Sequence, residues 1–170
     1  MTKKLKIWCF LNTIKTSSSV CIMMNRLYLF ALFLFVSGPS TGQFWHTDYK
    51  EVQRIAKTEN KPILLVFQGS DWCAPCIKLD REVWSTPEFR EYASSRWVML
   101  KADFPRRSKN VLDPEQAEAN AALAERYNKN GIFPFVVVLD KEGHVLGETS
   151  YQKIGPEGYI ELIESYTKQL

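Results

Sequence analysis

The sequence has little of what several protein classes require. Four cysteines in 170 residues are too few for a disulfide scaffold, and two histidines supply few metal ligands. No apolar run reaches the roughly 20 residues that a membrane-spanning helix needs. Hydrophobic residues make up 45% and charged residues 24% of the chain, which is a globular composition. The length suits one domain of ordinary size.

The charge is unevenly distributed along the chain. Residues 1–42 carry five basic side chains and no acidic one, whereas residues 43–170 carry 17 basic and 19 acidic ones. The formal net charge of +3 therefore comes from the N-terminal segment, and the remainder has a net charge of −2. Because the remainder lacks the basic excess of nucleic-acid-binding proteins, we expect no nucleic-acid partner.

The N-terminal segment has the pattern of an export signal. Residues 27–36 form an unbroken apolar run of ten, with Arg26 and lysines before it. Ser40 and Gly42 then supply the small residues that a signal peptidase recognises. We therefore expect residues 1–42 to be a signal peptide, cleaved near Gly42, and the protein to be periplasmic or secreted.

Alternatives to this interpretation stay open. The segment is long when counted from Met1, and a start at Met23 or Met24 would make its length ordinary. An uncleaved N-terminal anchor is the alternative to cleavage. No cysteine closely follows the apolar run, which argues against a lipid anchor. Residues 43–170 are expected to form the folded domain.

The domain alternates helical and strand patterns. We expect helices at about 45–59, 73–83, 87–94, 114–127 and from 155 onward, and strands at 63–67, 97–102, 135–139 and 144–149. Strands joined through a helix are expected to be parallel, and the last two strands to form an antiparallel hairpin. The predicted fold class is α/β, a mixed central sheet of about four strands flanked by helices on both faces.

Two helix starts and one loop carry local signals. Thr86 and Asp113 each precede a proline, as N-cap residues do, and Gln116 is placed to reach back and complete a capping box. The loop before the second of these helices contains Arg106, Arg107 and Lys109. We interpret that loop as solvated, with an anion or partner patch as the alternative.

The chemistry is concentrated in the turn Trp72-Cys73-Ala74-Pro75-Cys76, which follows a buried strand and opens a helix. Cysteines at this spacing can close a small disulfide ring. Unpaired N–H groups and the helix dipole favour the thiolate of Cys73, so we expect a lowered pKa and a nucleophilic role. Cys76 is expected to be more buried and to resolve the mixed disulfide. Pro75 is tolerated because early helix positions lack N–H partners.

Two other interpretations of the cysteine pair are weaker. Zinc needs four ligands, and beyond Cys73 and Cys76 the domain offers only His46 and His144, about a hundred residues apart. A purely structural disulfide would constrain the unfolded chain little, because the loop it closes is so short. We expect a redox disulfide, with no metal and no organic cofactor.

Two segments carry a family resemblance. Residues 66–76 resemble the active-site strand and turn of thioredoxin-like proteins, and residues 131–135 resemble that family's cis-proline loop. The similarity covers about residues 45–168 and is closest to exported bacterial members with an extra N-terminal helix. It implies a thioredoxin-like fold in which a cis Phe133–Pro134 bond lies beside the active-site turn. Phe133, Pro134 and Trp72 are then expected to contact substrate.

The sequence departs from the family at one position. Thioredoxins carry a buried aspartate in the strand before the active site, where this chain has Val66 or Phe67. Asp71 lies nearby, and we interpret it as turn-forming. Lys101 matches the lysine that neighbours the family's aspartate, and without that partner we expect it to be solvated.

These patterns predict a thiol–disulfide oxidoreductase that reduces protein disulfides outside the cytoplasm. A disulfide oxidase or isomerase is one alternative, although Ala74-Pro75 lacks the histidine typical of strongly oxidising relatives. A non-enzymatic binding domain is another. The expected partners are protein or peptide disulfide substrates and a membrane electron donor for recycling. We expect the protein to act as a monomer.

Overall fold

The computed structural model describes residues 45–168. The expectations for residues 1–42, including the signal peptide and its cleavage near Gly42, lie outside the described residues. The elements of secondary structure are α1 Tyr49–Glu59, β1 Ile63–Gln68, α2 Ala74–Leu79, a π-helical turn Asp80–Trp84, α3 Pro87–Arg96, β2 Val98–Asp103, a 3-10 turn Ser108–Asn110, α4 Pro114–Tyr127, β3 Phe135–Leu139, β4 Val145–Ser150 and α5 Gly155–Thr167.

The four strands form one mixed sheet in the order β2-β1-β3-β4. β1 is parallel to β2, and both β1–β3 and β3–β4 are antiparallel. The register pairs Gln68 with Asp103, Phe67 with Phe135, and Phe135 with Ser150. The ends of β1, β2 and β4 therefore meet the start of β3 at one edge of the sheet, and this edge carries the site described below.

The expectation that helix-linked strands are parallel is confirmed for β1 and β2 and wrong for β2 and β3. β3 runs antiparallel to β1, which is itself parallel to β2. The physical reason is the loop after α4: residues 128–134 return the chain to the edge where β2 ended, so β3 starts there and runs the opposite way. The hairpin of β3 and β4 is confirmed.

Helices cover both faces of the sheet, as predicted. β1 is buried along its whole length. Its alternate residues Ile63, Leu65 and Phe67 pack in a cluster with α1 and α4, while Leu64 and Val66 pack in a second cluster with α3 and α5. The second cluster is rich in aromatic rings: Trp84, Phe89, Trp97 and Tyr159 are buried there. Within residues 45–168, every aromatic side chain except Trp72 belongs to one of these two clusters or packs against it.

The first helix begins later than the sequence pattern predicted. Asp48, whose side chain accepts a hydrogen bond from the Lys50 N–H, is its N-cap. Residues 45–48 lie outside the helix, and the backbone of His46 bridges to β2 beside Leu100. Trp45 packs edge-on against Trp84, with ring centroids 6.4 Å apart. Its helix-like spacing reflects burial in the core.

The capping signals are confirmed at Thr86 and Asp113. Thr86 Oγ1 accepts from the N–H of Phe89, and Asp113 accepts from the N–H of Gln116. The second half of the predicted capping box is wrong. In a capping box the side-chain oxygen of Gln116 would accept from the N–H of Asp113. The side-chain N–H groups of Gln116 instead donate to the carbonyl of Thr47 and to Asn120 Oδ1, and these bonds hold the side chain toward those two residues. Gln116 thus ties α4 to the segment before α1.

Candidate active site

The two cysteines of the domain lie at the start of α2, just after the turn that follows β1. Cys73 is the N-cap of α2, and Cys76 lies in its first turn. Their sulfurs form a disulfide with an S–S distance of 2.07 Å and Cα atoms 5.2 Å apart. The pair is thus an intramolecular dithiol–disulfide couple at the N-terminus of a helix.

Cys76 was expected to be more buried than Cys73, and this difference is not found. Cys73 is 4% exposed and Cys76 is 3% exposed. The bond between the sulfurs holds them together, so both share one environment in the oxidised state. Burial therefore does not distinguish the roles of the two thiols.

Hydrogen bonds hold Cys73 in place. Its N–H donates to the carbonyl of Gly69 at 2.9 Å, and its own carbonyl accepts from Ile77 at 3.1 Å. Its sulfur accepts from the N–H of Cys76 at 3.3 Å. That N–H is one of the orphan donors of the first helical turn. A thiolate at this sulfur would gain more from the donor than a neutral thiol would, because a charged acceptor strengthens the hydrogen bond.

The turn before the cysteines is anchored to the end of β2. Ser70 donates to Asp103 through both its N–H, at 2.9 Å, and its hydroxyl, at 2.6 Å. Asp103 also lies beside Gln68 in the parallel register. Asp103 therefore positions the active-site turn relative to the sheet, a role that the sequence pattern did not reveal.

The loop that precedes β3 lies at the same edge. The peptide bond between Phe133 and Pro134 is cis, as the family resemblance implied. The Pro134 carbonyl accepts from the hydroxyl of Ser150 at 2.7 Å. Asn128, which is almost fully buried, donates to the carbonyl of Ile132 and accepts from its N–H, both at 2.9 Å. The side chain of Asn128 thus closes this loop, a role that the sequence pattern did not reveal.

Trp72 joins the cysteine turn to the loop before β3. Its ring meets that of Phe133 edge-to-face, with centroids 5.4 Å apart. Its indole N–H donates to the carbonyl of Phe104 at 2.7 Å. The backbone of Gly69 packs so closely that a Cβ there would clash with the indole. Trp72 and Phe133, two of the predicted substrate contacts, are therefore in contact with each other, and Pro134 follows Phe133 directly.

Asp71 does more than form a turn. Its carboxylate accepts from the N–H groups of Arg106 and Arg107 at 2.9 and 3.0 Å, and from the side chain of Asn110 at 2.9 Å. The hydrogen bond from Arg106, opposed by slight burial and aided by the other donors, lowers the pKa of Asp71. Asp71 thereby fixes the loop of residues 104–110 against the active-site turn.

Arg106 in that loop is not simply solvated. Its guanidinium lies over the ring of Trp72, with its carbon 3.6 Å from the ring centroid. Charge and loop composition gave no signal for this contact, which depends on the tie to Asp71. Arg106 is exposed, in agreement with the interpretation of the loop as solvated, but it also contacts the ring of Trp72.

The position of the missing family aspartate is apolar. Val66 and Phe67 are fully buried in β1. Lys101 lies opposite Val66 in the sheet and is only half-buried. Its ammonium approaches the ring of Trp45 at 6.0 Å from the centroid. Lys101 thus has an aromatic neighbour where the family has an acidic one.

The two histidines have other partners. His46 pairs with Glu51 at 3.7 Å, and His144 pairs with Asp140 at 2.8 Å in the turn between β3 and β4. No group of three or more histidine, cysteine or acidic side chains with metal-binding geometry occurs within residues 45–168. Over the same range, no helix has the length and apolar character needed to cross a membrane.

Comparisons with known proteins bear on this site. A family model described as thioredoxin-like matches residues 44–141. The chain is 35% identical over 121 residues to the disulfide bond reductase DsbH of Chlamydia pneumoniae, with 71% of each chain covered. It is 32% identical over 98 residues to the thioredoxin-related protein DsbJ of Chlamydia pneumoniae, covering 58% of this chain and 27% of that protein.

The structural comparison agrees with the sequence comparisons. A solved structure of a DsbH oxidoreductase superposes with a TM-score of 0.68 at 31% identity. The superposition covers 79% of this chain and 92% of that one. The family match over residues 44–141 contains β1, β2, β3, the cysteine turn and the loop before β3.

Proposed function

Since the chain belongs to the thioredoxin-like family and is a thiol–disulfide oxidoreductase, we propose that it reduces protein disulfides outside the cytoplasm. The observation that carries the proposal is the Cys73–Cys76 disulfide at the N-terminus of α2. The relative named a disulfide bond reductase supports the reducing direction. The pair Ala74-Pro75 supports it too, because no histidine lies between the cysteines to stabilise the reduced form.

In the proposed reaction the reduced enzyme transfers two electrons to a substrate disulfide. The thiolate of Cys73 attacks one substrate sulfur, forming a mixed disulfide, and the other substrate sulfur leaves and takes a proton. Cys76 then loses its proton to solvent and attacks Cys73. The mixed disulfide breaks, the second substrate sulfur takes a proton, and the enzyme keeps the Cys73–Cys76 disulfide. The structure holds this oxidised end state.

We assign Cys73 as the nucleophile because of its position. As the N-cap residue of α2, its sulfur already accepts from the N–H of Cys76. The helix dipole adds a further preference for negative charge at that place. Cys76 follows one turn later and is the resolving thiol.

We propose that the loop before β3 holds the substrate. Phe133 contributes backbone groups that can pair with an extended segment, as in strand addition. Pro134 has no N–H, and its carbonyl is already occupied by Ser150. The neighbouring ring of Trp72 supplies an apolar contact. A substrate cysteine held along this loop would lie beside Cys73.

The proposal extends to localisation and recycling. Export rests on the apolar run at 27–36 and the small residues that follow it. Outside the cytoplasm the cytosolic thiol systems are absent, so a membrane dithiol donor must reduce the Cys73–Cys76 disulfide after each turnover. We propose that the protein acts as a monomer, which sedimentation of the purified chain would check.

Insulin reduction with dithiothreitol as the electron source tests the function. We expect catalytic turnover by the wild-type protein and loss of turnover in Cys73→Ser and Cys76→Ser. Wild-type turnover no faster than dithiothreitol alone would contradict the proposal and favour a non-enzymatic binding domain.

The roles of the cysteines have a separate test. The chain carrying Cys9→Ser and Cys21→Ser keeps Cys73 and Cys76 as its only thiols. In the reduced protein we expect iodoacetamide to modify Cys73 much faster than Cys76 near neutral pH. Cys76→Ser should trap mixed disulfides with client proteins. Equal alkylation rates for the two thiols would overturn the assignment.

N-terminal sequencing of the protein from its native host tests export. We expect the mature chain to begin near Gln43. A mature cytosolic protein that retains Arg26 would contradict export with cleavage. A membrane-bound protein that retains it would support the uncleaved anchor instead.

A further inference from the structure

Arg106 occupies a defined place at the rim of the active site. Its guanidinium carbon lies 3.6 Å from the centroid of the Trp72 ring, which is the distance of a stacked contact. Trp72 directly precedes Cys73 and touches Phe133, the residue before Pro134. A substrate segment that lies along Phe133 therefore passes close to the Trp72 ring, over which the guanidinium of Arg106 lies.

Stacking leaves the hydrogen-bonding edge of Arg106 free. A guanidinium stacks through its face, whereas its five N–H donors lie in its plane and suit a carboxylate bidentately. Within residues 45–168 these donors make no hydrogen bond and no ion pair with a protein group. The side chain is exposed. The enzyme thus presents an oriented cation whose binding capacity is unused.

The acidic side chains of the active-site turn and of the end of β2 are already engaged. Asp71 accepts hydrogen bonds from the backbone of Arg106 and Arg107 and from Asn110. Asp103 accepts two from Ser70. Neither carboxylate pairs with the guanidinium, so the charge faces outward and is complementary to a negative group on a bound molecule.

The position of Arg106 depends on the active-site turn itself. Asp71 lies two residues before Cys73 and holds the backbone of Arg106 directly. The carbonyl of Phe104, two residues before Arg106, accepts from the indole of Trp72. The backbone of Arg106 is thus bonded to Asp71 and its side chain lies on Trp72, and both residues belong to the active-site turn. The guanidinium therefore keeps its position relative to the sulfur of Cys73.

We propose that Arg106 is a specificity-determining residue that selects disulfide substrates with a carboxylate side chain next to the attacked cysteine. The inference rests on the proposed function, since it concerns the substrates of that same site. The occupant is an extended acidic segment of a protein substrate, bound along Phe133 with its carboxylate on the guanidinium. The neighbouring Arg107 acts on Asp71 through its backbone N–H and its charge, but within residues 45–168 its side chain does not stack on the ring of Trp72.

The test compares two disulfide-linked peptides that differ only in glutamate or glutamine on either side of the cysteine. The enzyme is the full-length chain with Cys9→Ser and Cys21→Ser, and the measured quantity is the ratio of kcat/KM for the two peptides. Any change in the reactivity of Cys73 cancels from this ratio. The same ratio is measured for Arg106→Gln. Dividing the wild-type ratio by it also cancels any difference in intrinsic reactivity between the two peptides.

We expect the wild-type ratio to exceed that of Arg106→Gln by about 1.5- to fivefold, the factor that an exposed ion pair supplies. Arg107→Gln is the matched control and should keep the wild-type ratio. Arg106→Lys keeps the charge but loses the planar stack, so it should keep only part of the preference. High salt should lower the wild-type ratio to that of Arg106→Gln.

The possible failures are distinguishable. Equal ratios in the wild-type protein and Arg106→Gln would overturn the inference while leaving the proposed function intact. Equal loss of the preference in Arg107→Gln would also overturn it, because the effect would then belong to a diffuse basic loop. A wild-type protein that reduces neither peptide would contradict the proposed function and the inference together.

Discussion

Asn128 offers the sharpest test of how the loop before β3 is held. It is the residue after α4, it is buried, and its side chain makes a reciprocal pair of hydrogen bonds with the backbone of Ile132. Asn128→Ala removes both bonds without touching the cysteine turn. We expect the loop that carries Pro134 to lose its fixed position.

The magnitude follows from the two bonds. Each neutral hydrogen bond contributes about 1 kcal/mol, so the free energy of unfolding should fall by about 2 kcal/mol. For a domain of this size that corresponds to a decrease in Tm of about 8 °C. Because substrate positioning depends on the loop, kcat/KM for insulin should fall about tenfold. The alkylation rate of Cys73 should stay near the wild-type value, since its hydrogen bonds involve neither Asn128 nor Ile132.

Asn130→Ala is the matched control. Asn130 lies in the same loop and is exposed, and its side chain makes no hydrogen bond within the described part of the chain. Differential scanning calorimetry and insulin reduction of both variants make the comparison. If Asn128→Ala unfolds and turns over like Asn130→Ala, the reasoning about the loop is refuted.

Three further substitutions test other contacts. Hydrogen bonds depress the pKa of Asp71, so its carboxylate stabilises the fold above about pH 4 and that stabilisation is lost as the pH falls further. The Tm gap between wild type and Asp71→Asn should close in that acid range, and a pH-independent gap would contradict this. Gly69→Ala should displace the ring of Trp72 and slow insulin reduction, and unchanged rates would refute the close packing. Burial raises the pKa of Tyr127, so the Tm advantage of wild type over Tyr127→Phe should shrink above about pH 10, and a constant advantage would contradict the assignment.

Much of the fold was predictable because its signals are local. The apolar runs of β1 and β3 and the caps at Thr86 and Asp113 each involve residues close in sequence. The start of α1 was mispredicted because the backbone of His46 pairs with β2, about fifty residues away. A periodic apolar pattern cannot report such a partner, since it records only that Trp45 packs against the core.

The candidate site also contains residues that the sequence signals locally and residues that only long-range contacts reveal. The cysteine pair and the loop at Pro134 were visible because their residue types and spacing are specific. Arg106 was visible only as one member of an alternative anion or partner patch, and Asn128 gave no site signal, because exposed arginines and loop asparagines are common. Their significance comes from contacts with Trp72 and Ile132 that only the folded chain creates.

The equilibrium between Cys73–Cys76 and a glutathione buffer tests the central claim most directly. The reduced fraction is read by thiol alkylation in the chain with Cys9→Ser and Cys21→Ser. For a reductase we predict a potential near that of a thioredoxin, about −270 mV, where each 30 mV changes the equilibrium constant about tenfold. A potential near about −120 mV, typical of a strong disulfide oxidant, would contradict the account.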